Sequence, residues 1–147
     1  MKASHSLIHR PTLRRGLFLY WLPALVFAAA ISIGSSFSSY TVEDTFDTLR
    51  LTTPDQVVFH GGEFAIFALL SYRLLSFHLK WPFRYLAPAV LLLAAGYGAV
   101  DELHQAFVPG RDSSIYDVAS DTAGALLALA GVGVILWLRG LRMRSAG

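Results

Sequence analysis

Residues 85–111 read YLAPAVLLLAAGYGAVDELHQAFVPGR. Positions 85–100 carry no charge, and the run then meets Asp101, Glu102, His104, Gln105 and, past a Pro-Gly pair, Arg111. The segment 85–108 is near the roughly 20 residues that a helix needs to cross hydrocarbon. A carboxylate facing lipid would cost about 2.5–3.5 kcal/mol on the insertion scale. Carboxylates in such a segment are therefore tolerated where they face other helices or a wet cavity.

Working outward, three more apolar segments cover 17–37, 54–79 and 115–138. The first and last are plain, whereas the second carries His60, Glu63 and Arg73. Membrane β-strands would be about 10 residues long with strict alternation, and no segment shows that pattern. The expected fold is all-α: a polytopic membrane protein with four transmembrane helices in a single domain over 1–147. Composition agrees. The chain is 54% hydrophobic and only 15% charged, against about 45–50% and 25% in soluble domains, so neither a soluble domain nor a disordered chain fits. With no cysteine, disulfides, thiolate metal sites and cysteine nucleophiles are excluded.

Charge placement gives the expected topology. The 12 basic residues fall mainly in three groups: Lys2, Arg10, Arg14 and Arg15; Arg73, Lys80 and Arg84; Arg139, Arg142 and Arg144. The exceptions, Arg50 and Arg111, share the other side with all 10 carboxylates. The positive-inside rule then puts both termini and the middle link in the cytoplasm. Trp21, Trp81 and Trp137 fall at the same ends, as interfacial anchors do. The basic pI of about 9.2 is thus a sum of cytoplasmic tails, and no nucleic-acid partner is expected. Arg14-Arg15 before an apolar stretch resembles a signal peptide, but the stretch exceeds a usual h-region, so an uncleaved helix is expected.

Helix ends put the polar residues at one depth. Thr53-Pro54-Asp55-Gln56 and Ser114-Ile115-Tyr116-Asp117 both read as capping boxes, and Pro109-Gly110 reads as a helix stop. His60, Asp121 and Glu102 each lie seven residues inside such an end, roughly 10 Å at a rise of 1.5 Å. Three stripes follow from helical periodicity: His60, Phe64, Phe67 and Ser71 with Glu63 beside them; Gly98, Asp101, Glu102 and Gln105; Asp117, Asp121, Gly124 and Ala128. Facing one another, they would enclose a polar pocket open to the extracytoplasmic side. Small residues along the deeper half of the last stripe suggest close helix contact there.

Each polar group also has a purely structural reading. Glu63 would pair with His60 at i,i+3, Asp117 would serve as a cap, Asp101 would be solvated, and His104 would be peripheral. Arg111 would neutralise the carboxylates around it or bind a ligand's phosphate or carboxylate. Glu102 has the strongest functional case. No metal site is expected from the spacing, since one histidine among carboxylates matches no zinc pattern, and no cofactor motif occurs.

Two stretches together resemble the VanZ family: His60-Gly61-Gly62-Glu63-Phe64, and Asp101-Glu102-Leu103-His104-Gln105-Ala106-Phe107-Val108-Pro109-Gly110-Arg111 followed by Ser113, Asp117 and Gly124. Val57 stands where the family often has a basic residue, and Asp121 where it often has asparagine. The resemblance implies a four-helix bacterial inner-membrane protein whose family namesake lowers sensitivity to teicoplanin-type glycopeptides. Carried over by position, the site residues are His60, Glu63, Asp101, Glu102, Gln105, Arg111, Asp117 and Asp121. Two functions are in view. One is a cell-envelope protein engaging membrane lipids or a lipid-linked cell-wall precursor, with Arg111 on the phosphate and Glu102 and Asp117 holding Arg111. The other is an intramembrane enzyme acting on a lipid headgroup. There Glu102 or His60 is the general base, and a divalent cation is optionally held by Glu102, Asp117 and Asp121.

Overall fold

The structure, a computed structural model, describes residues 16–38, 56–111 and 113–145. Among these residues there is no strand. A π-helical turn, Leu17–Trp21, leads into α1 (Leu22–Ser35), followed by α2 (Gln56–Leu79), α3 (Phe83–Gln105) and α4 (Ile115–Ser145). All four helical segments are long and apolar enough to cross a membrane. Large apolar side chains such as Leu92, Leu103 and Leu127 point outward around the bundle. In water so much exposed apolar surface would be a liability, whereas lipid is the solvent that accepts it. The stretch 39–52, with Glu43, Asp44 and Asp47, and the Thr53–Asp55 part of the first capping box lie outside the described residues, as do the basic residues before Gly16.

Two helix ends differ from the sequence reading. α3 ends at Gln105 rather than at Val108. The chain turns there because Pro109 and Gly110 close a tight turn. Gly110 has φ of 78°, and the Arg111 N–H donates to the Val108 carbonyl at 3.1 Å. Proline followed by a positive-φ residue is the type II pattern, which glycine fills without strain. α4 runs on past residue 138 to Ser145. The basic stretch after Leu138 is polar, yet it contains leucine, arginine and methionine, which are good helix formers, and cations suit a helix C-terminus.

Between α2 and α3 only Lys80, Trp81 and Pro82 intervene. Lys80 takes a left-handed conformation with φ of 56°, the usual stop after a helix C-terminus. Pro82 then starts α3 as its N-cap. The two helices must therefore run antiparallel.

The core lies between α2, α3 and α4. Phe64, Ala68, Val90, Ala94 and Ala125 are fully buried, with Ile31 and Leu129 packed against them. α2 and α4 meet at glycine. A Cβ on Gly124 would sit 1.9 Å from the Gly61 carbonyl oxygen, a distance no side chain tolerates. The small residue expected on the α4 stripe thus allows a close backbone approach of α4 to α2. Just outside it, Ser120 Oγ donates to the Val57 carbonyl at 2.7 Å.

α1 is attached differently. It buries little beyond Ala24, Ile31 and Ser35, and it is tied by polar contacts. The Tyr97 hydroxyl donates to the Ala28 carbonyl and meets Ser32 Oγ, each at 2.7 Å. The Tyr97 ring stacks on Phe67 with centroids 5.0 Å apart. Tyr97 is therefore a tie between α1 and α3 and not merely a packing group.

Candidate functional site

The three polar stripes face one another. His60, Phe64, Phe67 and Ser71 on α2 are all buried, as are Gly98, Asp101, Glu102 and Gln105 on α3 and Asp121 and Gly124 on α4. Their ionisable members His60, Asp101, Glu102 and Asp121 lie toward the end of the bundle where α3 turns into α4.

At the centre is a histidine–carboxylate pair. His60 Nδ1 lies 3.2 Å from Asp121 Oδ1, and Asp121 is 0% exposed. A carboxylate only accepts, so Nδ1 is the protonated nitrogen and donates to it. The expected partner of His60 was Glu63 on the same helix. Glu63 is half-buried and makes no hydrogen bond to a described residue, because the α2–α4 glycine contact brings Asp121 against the imidazole instead. Gly98 completes the fit. A Cβ there would stand 2.8 Å from Asp121 Oδ2, so the missing side chain makes the space that the carboxylate fills.

Around Glu102 the expected cap is rewired. Ser114 Oγ accepts the Tyr116 N–H at 3.1 Å, so it does cap α4. Asp117 does not close the box. The Ser114 N–H donates to Glu102 Oε2 at 2.8 Å. A carboxylate from α3 thus takes the reciprocal half of the cap and stitches the α3–α4 turn shut. This frees the Asp117 carboxylate, which is half-buried and takes part in no described side-chain hydrogen bond. Glu102 itself is 3% exposed. Its second oxygen, Oε1, has no hydrogen-bond partner among the described residues, and neither has Asp121 Oδ2.

Asp101 is not solvated. It is 6% exposed and both oxygens are used. Oδ1 accepts from Ser35 Oγ at 2.6 Å and Oδ2 from Gln105 Nε2 at 2.8 Å. Asp101, braced by Gln105 on its own helix, thus holds α1 against α3. Ser35 was missed in the sequence because it lies in an otherwise apolar helix. His104 is exposed and contacts Ser36 Oγ at 3.0 Å, in keeping with a peripheral place.

Among the described residues Arg111 forms no ion pair with a carboxylate, and Glu102 and Asp117 do not hold it. Its Nε donates to the Phe37 carbonyl at 3.0 Å, and Nη2 approaches the Gly34 carbonyl at 3.4 Å. The carbonyl end of a helix is its negative end, and the end of α1 takes up this edge of the guanidinium. Among the described residues the single side-chain ion pair is His60–Asp121.

The grouping that could hold a metal also differs from the sequence reading of Glu102, Asp117 and Asp121. One ligand atom each from His60, Glu102 and Asp117 lie within 4.8 Å of one another. Asp121 stands behind His60 as the acceptor for its ring N–H. The described residues therefore sort into a central group of His60, Glu102, Asp117 and Asp121, and a bracing group of Asp101, Gln105 and Arg111 that anchors α1.

A family model described as VanZ/LLP1 matches residues 16–138, which takes in three spans and most of the fourth. No curated protein and no solved structure matches the chain.

Proposed function

The chain belongs to the VanZ/LLP1 family and is a multi-pass membrane protein, and we propose that it modulates the cell envelope by engaging a lipid-borne headgroup. On this reading it sits in the bacterial inner membrane with both termini in the cytoplasm, as the distribution of Lys and Arg suggests. The polar layer then opens to the extracytoplasmic side. The ligand is the headgroup of an anionic membrane lipid or of a lipid-linked cell-wall precursor.

One observation carries the proposal: His60, Glu102, Asp117 and Asp121 from three helices converge in one layer of an otherwise apolar bundle. Ionisable groups at such a depth are costly, and function is their default explanation. Arg111, half-exposed beside this layer, contributes a guanidinium with five donors in a fixed fork. Two of them hold the end of α1, and the others are offered to the phosphate. Lowered sensitivity to teicoplanin-type glycopeptides would follow if the headgroup is that of a cell-wall precursor.

The test is complementation of a deletion strain by Arg111→Lys and Glu102→Gln, scored for teicoplanin sensitivity and membrane lipid composition. Protein levels in the membrane are measured alongside. The expected result is normal levels of both variants with function lost. Lysine keeps the charge but not the fork, so full function in Arg111→Lys contradicts the phosphate role. An unaltered phenotype of the deletion strain itself contradicts the envelope role.

A second reading is favoured by the His60–Asp121 pair. An imidazole oriented by a buried carboxylate is the arrangement used in acid–base catalysis. The protein would then be an intramembrane enzyme modifying a lipid headgroup, with His60 or Glu102 as the base. It predicts accumulation of one lipid species on deletion, and an unchanged lipidome would remove it.

A further inference from the structure

We propose that His60, Glu102 and Asp117 bind a divalent first-row transition cation, with Asp121 as the residue that orients His60. This goes beyond the headgroup reading and stands on ligand geometry alone.

Four observations converge. First, the three residues come from three different helices, and one donor atom of each lies within 4.8 Å of the others. Metal–ligand bonds of about 2.1 Å in a tetrahedral site separate the donors by roughly 3.4 Å. Small side-chain rotations therefore complete the set without moving a helix.

Second, the donors are left available by their own surroundings. Asp117 is released from its cap because Glu102 takes the Ser114 N–H. Glu102 is 3% exposed, yet its Oε1 has no partner among the described residues. An unsatisfied buried carboxylate oxygen loses its hydration with nothing in return, and a cation at the cluster would satisfy it.

Third, His60 is prepared as a metal-ligating histidine usually is. Its Nδ1 is engaged by Asp121 Oδ1 at 3.2 Å, which fixes the tautomer and leaves Nε2 with the free lone pair. A carboxylate behind a ligating histidine is the common supporting contact in metal sites. Gly98 makes the room for that carboxylate.

Fourth, Arg111 forms no ion pair with these acids among the described residues. Arg111 is turned to the carbonyls of Phe37 and Gly34. Glu102, Asp117 and Asp121 face His60 from α3 and α4 with no ion pair to a lysine or arginine among the described residues.

The donor set selects the cation. Carboxylates alone suit Mg²⁺, Ca²⁺ and Mn²⁺, whereas imidazole suits zinc and its neighbours. One nitrogen with two carboxylates fits Zn²⁺ or Mn²⁺ rather than Ca²⁺. Three protein ligands also leave a coordination position open, as in catalytic rather than structural sites. That position can take water or an anionic oxygen.

The experiment uses untagged full-length protein in detergent, stripped with a chelator and titrated separately with Zn²⁺, Mn²⁺ and Ca²⁺. Calorimetry gives the affinity and mass spectrometry of the metal the stoichiometry. One equivalent of Zn²⁺ or Mn²⁺ per chain is expected, with Ca²⁺ weaker. His60→Ala should abolish binding, Asp117→Asn should weaken it at least about tenfold, and Asp121→Asn about 10–100-fold, the usual effect of losing the supporting carboxylate. His78→Ala, at the other end of α2, should bind as the unaltered protein does. Asp117→Asn removes no described side-chain hydrogen bond, so it reads binding without unfolding the bundle. Absence of stoichiometric Zn²⁺ and Mn²⁺ binding overturns the proposal, as does equal binding by His60→Ala and Asp117→Asn or preference for Ca²⁺. These readouts do not involve the envelope phenotype, so the failure of either idea leaves the other standing.

Discussion

The two ends of the bundle treat charge in opposite ways. At the Lys80 end, the cations are exposed and lie over aromatic rings. The Arg73 guanidinium is 5.0 Å from the Tyr20 ring centroid, Lys80 Nζ is 4.6 Å from that of Phe77, and the Arg84 guanidinium is 4.9 Å from that of Tyr85. Tyr20 stacks on Phe77 with centroids 4.0 Å apart, and Trp21 Nε1 donates to His78 Nε2 at 2.7 Å. Long cationic side chains over amphipathic rings are what a membrane interface favours. At the Glu102 end, Asp101, Glu102 and Asp121 are buried, and among the described residues Glu102 Oε1 and Asp121 Oδ2 lack partners. On the proposed reading, one end serves as an anchor and the other as a site. Because both ends belong to the same helices, the difference comes from where charge is placed along each of them.

Substitutions at the two ends should therefore differ sharply. The largest effect is expected where the acidic layer is assembled. Gly124→Leu would drive a side chain into the Gly61 carbonyl, which a Cβ alone already meets at 1.9 Å. The predicted outcome is no folded, monodisperse protein in detergent, whereas Gly131→Leu, with nothing within 4 Å of its Cβ position, should purify normally. Next is Asp121→Ala. It leaves His60 without its buried partner and should cost about 3 kcal/mol, the scale for breaking a buried pair, read from reversible unfolding in detergent. Asp101→Ala comes third. It removes a short hydrogen bond from Ser35 Oγ and one from Gln105 and should cost about 2 kcal/mol, with α1 loosened first and so more open to proteolysis. The smallest effect belongs to the other end, where Arg73→Ala should leave the unfolding midpoint unchanged within error. A large loss in Arg73→Ala, or none in Asp121→Ala, would break the contrast.

Much of this contrast is legible in the residue order. The four spans follow from apolar length, and the stripes through His60, Glu102 and Asp121 follow from a 3.6-residue period that the bundle obeys. Periodicity says which residues share a face, but not how far each helix is rotated against its neighbours. Local spacing therefore pairs His60 with Glu63 on its own helix, whereas its partner is Asp121 on α4. It closes the Ser114 cap with Asp117, whereas Glu102 reaches across the turn to do it. It sets Arg111 among the nearest carboxylates, whereas the carbonyls that receive it belong to Gly34 at the end of α1 and to Phe37 just beyond it, distant in sequence. Backbone acceptors leave no trace in residue identity, so no reading of side chains could have found them. The added length of α4 was hidden for a different reason. Apolarity measures the membrane span, whereas a helix continues for as long as its backbone propensities allow.

The account rests on the acidic layer acting as a site rather than as a brace, and Asp117 tests this most directly. It belongs to the central group but carries no described side-chain hydrogen bond, so its charge can be removed with the architecture left in place. The measurement is complementation of the deletion strain by Asp117→Asn, scored for teicoplanin sensitivity and lipid composition at a matched level of membrane protein. Loss of complementation at the unaltered level is the predicted result. Full complementation would contradict the account and leave the layer as a means of holding α2, α3 and α4 together.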